Sequence, residues 1–214
     1  MTPTESHTLL PLYVHPEVDP AAWRHAAAGE RLTVVVRDDG DDPAVAGALS
    51  QLAAAGVTTL GHVDTQFATR PVADLQEAVA RWARCPVSGI FLDQTPTSPF
   101  SIGPVALAVR AARRGGLSVV LNPGTSTDPL YRELGARVCT FEGTWQRYRD
   151  WSGHGSQPGD GHLVHSVPPE RMAEARALLR QRRAGFGLVT DRTPPEPYAG
   201  APAWLVNADS PVTA

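Results

Sequence analysis

Three observations predict a single (β/α)8 barrel, the TIM-type fold of the α/β class. Eight short apolar runs alternate with helical stretches, the pattern of a parallel sheet with crossover helices. The runs lack polar alternation, as expected of strands buried on both faces. Eight such units are the number that closes a barrel. At 214 residues the chain is short for this fold and has no linker long enough for a second domain. The competing architecture, an open doubly wound sheet, lacks its G-x-G-x-x-G turn after the first strand.

The elements follow in order. Leu9–His15 is rich in β-formers and stops at Pro16. Asp19–Gly29 is a short helix with Asp19 as N-cap and Pro20 at its first position. Leu32–Val36 is a continuous apolar strand, and Pro43–Ala55 a helix closed by Gly56. Thr58–Asp64 is a strand and Val72–Ala83 an amphipathic helix. The alternation continues through strand Gly89–Asp93, helix Gly103–Arg114, strand Leu117–Leu121, helix Pro129–Leu134, strand Arg137–Glu142 and helix Thr144–Trp151. A flexible loop, Gly153–Gly161, precedes strand Leu163–Val167, helix Pro168–Arg183 and the eighth strand, Gly187–Asp191. The expected organisation is a disordered or extended N-terminus over 1–8, a barrel over 9–192 and a Pro-rich tail over 193–214 that packs irregularly on it.

Composition narrows the function. The net charge is −3 and the charges are scattered along the chain, which argues against nucleic acid or an anionic membrane as partner. All 19 basic residues are Arg, so no lysine can serve as Schiff base or general base. Cys85 and Cys139 are expected to be reduced structural thiols. The polar start carries no secretory pattern, and no stretch approaches the roughly 18 apolar residues of a membrane span. These features lead us to expect a cytoplasmic protein.

The strand ends carry the chemical argument. Tyr13 and His15 end the first strand, Arg37 the second, His62 and Asp64 the third, Asp93 and Gln94 the fourth. Asn122, Glu142, His165 and Asp191 end the remaining four. In a barrel these positions converge on the C-terminal mouth, where active sites of this fold lie. Solvated loops explain a polar residue at any one strand end; they do not explain eight, with three histidines and four carboxylates among them. The period of two places Tyr13 with His15, and His62 with Asp64, on a common face. It also turns His162 and His165 to opposite faces.

Three chemistries fit such a rim. Paired carboxylates from Asp64, Asp93, Glu142 and Asp191 suit acid/base work such as glycoside hydrolysis. His15, His62, Asp64, Glu142 and His165 are legal metal ligands, but no dense ligand motif appears, and no metal or cofactor is expected. Nucleophilic catalysis lacks a G-x-S-x-G elbow, and Cys139 lies inside a strand. Trp145 follows the sixth strand, where it would stack on a sugar ring or simply pack.

Six blocks occur in order: Pro11-Leu12-Tyr13-Val14-His15-Pro16, Gly61-His62-Val63-Asp64-Thr65 with Arg70, Gly89-Ile90-Phe91-Leu92-Asp93, Leu121-Asn122-Pro123-Gly124-Thr125, Thr140-Phe141-Glu142-Gly143 and His162-Leu163-Val164-His165-Ser166. This series resembles the spherulin-4 (spherulation-specific family 4) proteins over residues 9 to 204. The resemblance implies a barrel related to glycoside hydrolases, whose characterised members cleave galactosamine-containing exopolysaccharides. It implies catalytic roles for Asp93 and Glu142, the latter in a Phe-Glu-Gly context. Gln94 stands where the resemblance places a Glu, and a neutral amide cannot exchange protons. His62 stands in place of Tyr, Arg37 in place of Asn, and His15 in place of a second aromatic.

Three functions follow. The first is a glycoside-hydrolase-like enzyme with Asp93 and Glu142 as acid/base pair, acting on an amino-sugar-containing or polyhydroxylated small molecule or oligosaccharide. Tyr13, His15, Arg37, His62, Asp64, Gln94, Asn122, Trp145, His165 and Asp191 would bind that ligand. The second is an intracellular enzyme of specialised metabolism, a cyclase, lyase or isomerase, working through its histidines. The third is a non-catalytic sugar-binding barrel, which Gln94 would permit.

Overall fold

A computed structural model describes residues 7–37 and 41–206. The eight apolar runs form eight parallel strands: β1 (His7–Leu12), β2 (Leu32–Val36), β3 (Thr58–Asp64), β4 (Gly89–Asp93), β5 (Ser118–Asn122), β6 (Arg137–Thr144), β7 (Gly161–His165) and β8 (Phe186–Val189). Each pairs with the next, and β8 pairs back onto β1 through His7 with Phe186 and Thr8 with Gly187, closing the barrel. No strand edge is left open. Around it run α1 (Pro20–Ala28), α2 (Pro43–Ala54), α3 (Val72–Trp82), α4 (Ile102–Arg114), α5 (Leu130–Glu133), α6 (Trp145–Asp150) and α7 (Met172–Gln181). An eighth helix, α8 (Ala203–Val206), is a single turn within the tail.

The first helix starts as the sequence suggested, and the second has the same kind of cap. The Asp19 carboxylate accepts the Ala22 N–H at 3.0 Å and Pro20 opens α1. Asp42 caps α2 the same way, accepting from Ala44 and Val45 at 2.8 and 3.1 Å. Each helix turns its apolar stripe to the barrel: Val45, Leu49 and Leu52 on α2, Leu75, Val79 and Trp82 on α3, Val105 and Val109 on α4 are all buried.

Two local features set the mouth. The first is a β-bulge. Register along β6 and β7 passes from Cys139 opposite Gly161 to Phe141 opposite His162, so β6 spends one extra residue. Strict alternation from Cys139 would send Phe141 inward and Glu142 outward. After the bulge, Phe141 packs outward on Tyr148 and Trp151, with ring centroids 4.7 and 4.9 Å away. Glu142 is thereby turned into the mouth, where Asn122 and Tyr198 bond its carboxylate.

The second feature is the tail. β1 ends at Leu12, paired with Val36, before the expected end at His15. The Tyr13 N–H goes instead to the Tyr198 carbonyl at 2.8 Å. Arg192 holds the carbonyls of Ala199 and Ala201, and the Trp204 indole N–H donates to the Val189 carbonyl at 2.8 Å. The tail therefore packs across the β8–β1 side of the mouth. Neither cysteine is in a disulfide; Cys139 is fully buried and Cys85 partly so.

One glycine is fixed by close packing. A Cβ on Gly61 would lie 2.1 Å from the Trp82 ring, which α3 presses onto β3. Gly47, on the exposed side of α2, has open space at its would-be Cβ. We predict that Gly61→Ala destabilises the fold by about 1–3 kcal/mol through overpacking. Gly47→Ala should instead stabilise it by about 0.5–1 kcal/mol. Urea unfolding of the two variants reads both signs.

Candidate active site

The mouth is built around three adjacent strands. Asp93 ends β4 and Asn122 ends β5, paired in register, while Glu142 follows the bulge on β6. The Asn122 amide nitrogen donates to both carboxylates, to Asp93 Oδ1 at 2.8 Å and to Glu142 Oε2 at 2.6 Å. The nearest oxygens of the two acids are thus no farther apart than those two bonds laid end to end. With the two amide hydrogens splayed by the usual trigonal angle, the spacing is on the order of 5 Å. Each acid has its own second support. His62 Nε2 lies 3.0 Å from Asp93 Oδ2, and the Gln94 N–H donates to Asp93 Oδ1 at 2.9 Å. The Tyr198 hydroxyl donates to Glu142 Oε1 at 2.7 Å.

The backbone is clamped to match. The Thr65 N–H donates to the Asp93 carbonyl, and the Thr65 hydroxyl to the Gln94 carbonyl at 2.7 Å. The Thr95 N–H reaches the Asn122 carbonyl. Gln94 itself sits at φ 49°, a left-handed conformation that a side-chain-bearing residue adopts only when its surroundings enforce it. Gly124, at φ 65°, accepts the Glu142 N–H, and a Cβ there would stand 3.2 Å from Glu142 Cβ. Aromatic walls complete the pocket. Tyr13 meets His62 and Tyr198 edge-on at 5.2 and 5.7 Å, and His62 stacks on Phe91.

These surroundings drive the two acids apart. Burial raises the pKa of Asp93, but the hydrogen bond and charge of His62, with the Gln94 and Asn122 donors, outweigh it and hold the carboxyl below its ordinary value. At Glu142 burial prevails over the Asn122 and Tyr198 hydrogen bonds, Asp93 adds repulsion, and the pKa is raised. Asp93 therefore contributes stability above its unfolded pKa that is lost as pH falls through its folded value. Glu142 contributes stability below its unfolded pKa that is lost as pH rises through its folded value. The two pKa values are thus driven in opposite directions, and Glu142 holds its proton to higher pH than Asp93. Burial first, then the neighbouring carboxylates, push the Tyr13 and Tyr198 hydroxyls well above their ordinary values, so both remain protonated.

The other rim residues divide. Arg37 is exposed, its guanidinium over the Tyr13 ring at 5.5 Å, while Asp38 lies outside the described residues. His15 turns away from the face expected to hold it with Tyr13, because β1 has already ended; it lies 3.5 Å from Asp42 at the start of α2. The Asp64 carboxylate caps the following turn through the Gln66 N–H, and Arg70 holds the Asp64 carbonyl. The Gln94 side chain is exposed at the rim. Trp145 is buried in the outer layer with Phe141 and Tyr148. Asp191 accepts the Ala203 N–H of α8. His165 bonds the Ser166 hydroxyl, and burial followed by the charge of Arg147 lowers its pKa. His162 points outward to Tyr148 and Ser156, and burial brings its pKa down to about 4. Tyr198 completes the site without having been anticipated, since a tail without periodicity offers no signal for it. Among the described residues no group of three His, Cys, Asp or Glu side chains is placed to hold a metal ion.

The model of the spherulation-specific family 4 matches residues 7–208. The chain belongs to that family. Spherulin-4 of Physarum polycephalum is 29% identical over 148 residues, covering 63% of this chain and 44% of its own, so this chain spans less than half the length of that relative. Among solved structures, Aspergillus clavatus Sph3 in complex with GalNAc superposes with a TM-score of 0.77 over 95% of both chains at 24% identity. A Rubisco-like protein from Rhodopseudomonas palustris gives a TM-score of 0.51 at 13% identity, over 86% of this chain and 60% of that one. Both likenesses are of fold, the parallel eight-stranded barrel. No helix among the described residues is long and apolar enough to cross a membrane.

Within this spherulation-family mouth, the Tyr198 hydroxyl favours the ionised form of Glu142. Tyr198→Phe should therefore move the Glu142 titration to higher pH and leave that of Asp93 nearly in place. Side-chain carboxyl NMR across an acid titration measures both.

Proposed function

We propose that this protein is a glycoside-hydrolase-like enzyme acting on an amino-sugar-containing glycan, with Asp93 and Glu142 as its catalytic pair. The observation that carries the reading is the pair of carboxyls joined through one Asn122 amide, with their pKa values pushed in opposite directions. Opposed environments of this kind assign acid and base roles. Glu142, protonated, would deliver its proton to the glycosidic oxygen as the leaving group departs. Asp93, ionised, would meet the anomeric carbon. A spacing of about 5–5.5 Å leaves no room for an intervening water and goes with a covalent glycosyl intermediate and retained configuration. The Asn122 bridge supports that geometry. In the second half-reaction Glu142, now a carboxylate, would take a proton from the attacking water.

The substrate class is supported by family membership together with the GalNAc complex of Sph3. Tyr13, His62 and Tyr198 offer rings, and the two tyrosines hydroxyls, suited to a sugar, and the exposed Arg37 and Gln94 would add polar contacts at the rim. A Gln at position 94 is compatible with this mechanism, because the residue supports Asp93 through its backbone N–H and the acid and base roles fall on Asp93 and Glu142.

Incubation with galactosamine and N-acetylgalactosamine oligomers, followed by mass spectrometry of chain length, tests the reading. We expect shortened products with the wild type. With Glu142→Gln we expect turnover to fall at least about 10²–10⁴-fold, the usual weight of a general acid, with little change in stability. Saturable binding without shortening would replace the hydrolase with a sugar-binding barrel. Undiminished turnover in Glu142→Gln would remove Glu142 from the mechanism.

A further inference from the structure

The outer side of the eighth unit is thinly covered by the described residues. Among the described residues α8 covers only Ala203–Val206, and Gly187 on β8 contributes no side chain to the strand–helix layer. The gap is a cavity of about 350 Å³ between α7, α8, β8 and β1, separate from the mouth. Arg31, Arg176 and Arg180 line it, with Trp204, Leu179 and Glu30.

Its electrostatics are unbalanced. Arg176 and Arg180 lie one turn apart on α7, a spacing at which like charges repel. The Arg176 guanidinium is stacked at 4.6 Å on Trp204, whose ring is fixed by its bond to the Val189 carbonyl. Its Nη2 is buried with no acceptor, which leaves a desolvated donor uncompensated. Burial and the charge of Arg180 both act against the Arg176 cation. A guanidinium does not relieve such stress by losing its proton. An anion in the cavity would relieve it, by supplying both the charge and the acceptor.

We propose that this cavity binds the phosphoryl group of a small phosphorylated metabolite, held by Arg176 and Arg180, with the organic part against Trp204 and Leu179. Two neighbouring guanidinium forks match a dianion with three terminal oxygens better than a single carboxylate. The volume suits a small molecule. The site shares no residue with the proposed catalytic pair, so either assignment stands or falls alone.

Calorimetric titration with inorganic phosphate and with a hexose 6-phosphate, at constant ionic strength set by chloride, tests this. The expected result is saturable binding of both, with the hexose phosphate tighter. Arg180→Ser should weaken binding roughly tenfold or more, the weight of a charge-assisted hydrogen bond. Glu30→Gln should tighten it by removing a repelling charge, and Arg84→Ser, an exposed arginine outside the cavity, should leave it unchanged. No saturation, or an equal loss in Arg84→Ser, would overturn the site. Phosphate binding as tightly as its hexose ester would overturn the metabolite assignment. If Arg180→Ser fails to fold, Glu30→Gln decides, and an unchanged affinity there overturns the proposal.

Discussion

Everything at the mouth depends on one amide nitrogen shared by two acids. Asn122 can reach both because β4, β5 and β6 are consecutive neighbours in the barrel and Asp93 is in register with Asn122. The other acid arrives only through the bulge in β6, which changes the phase of the strand by one residue. Gly124 then admits the Glu142 side chain at a distance a larger residue would obstruct. Two carboxyls this close cannot both ionise cheaply in a buried site. The surroundings settle which one does: donors and His62 gather on Asp93, while burial prevails at Glu142.

The same logic explains what Gln94 does and does not change. The residue matters first as backbone. Its left-handed conformation aims its N–H at Asp93, and its carbonyl takes bonds from Thr65 and Phe67. The side chain is exposed at the rim, free to meet a ligand. A neutral residue there alters what the mouth contacts more than what it can catalyse.

The strands, their order and the polar rim were legible because they are written in local patterns: apolar runs, Asp-Pro helix starts and glycine stops. Asp93, Asn122 and Glu142 could be named from their places at strand ends. What could not be read depends on long-range geometry. The bulge is invisible to a period-two reading, although Phe141 and Glu142 exchange faces because of it. Tyr198 lies 56 residues from Glu142 in a stretch with no periodicity. His15, Asp64 and Asp191 looked like ligand groups, yet their nearest bonds serve turns and helix starts. A polar residue at a strand end is ambiguous between these uses until its neighbours are known. Trp145 shows the same ambiguity for aromatics, being buried against the outer helices.

The central claim is that Asp93 and Glu142 act across a short gap as nucleophile and acid. The most direct measurement is the anomeric configuration of the first product, followed by proton NMR as an N-acetylgalactosamine oligomer is cleaved. The account predicts that the newly formed reducing end appears first in the configuration of the bond that was cut, and mutarotates afterwards. First appearance of the opposite anomer would contradict it, because inversion places a water between acids about 6.5–9.5 Å apart, wider than the gap proposed across Asn122.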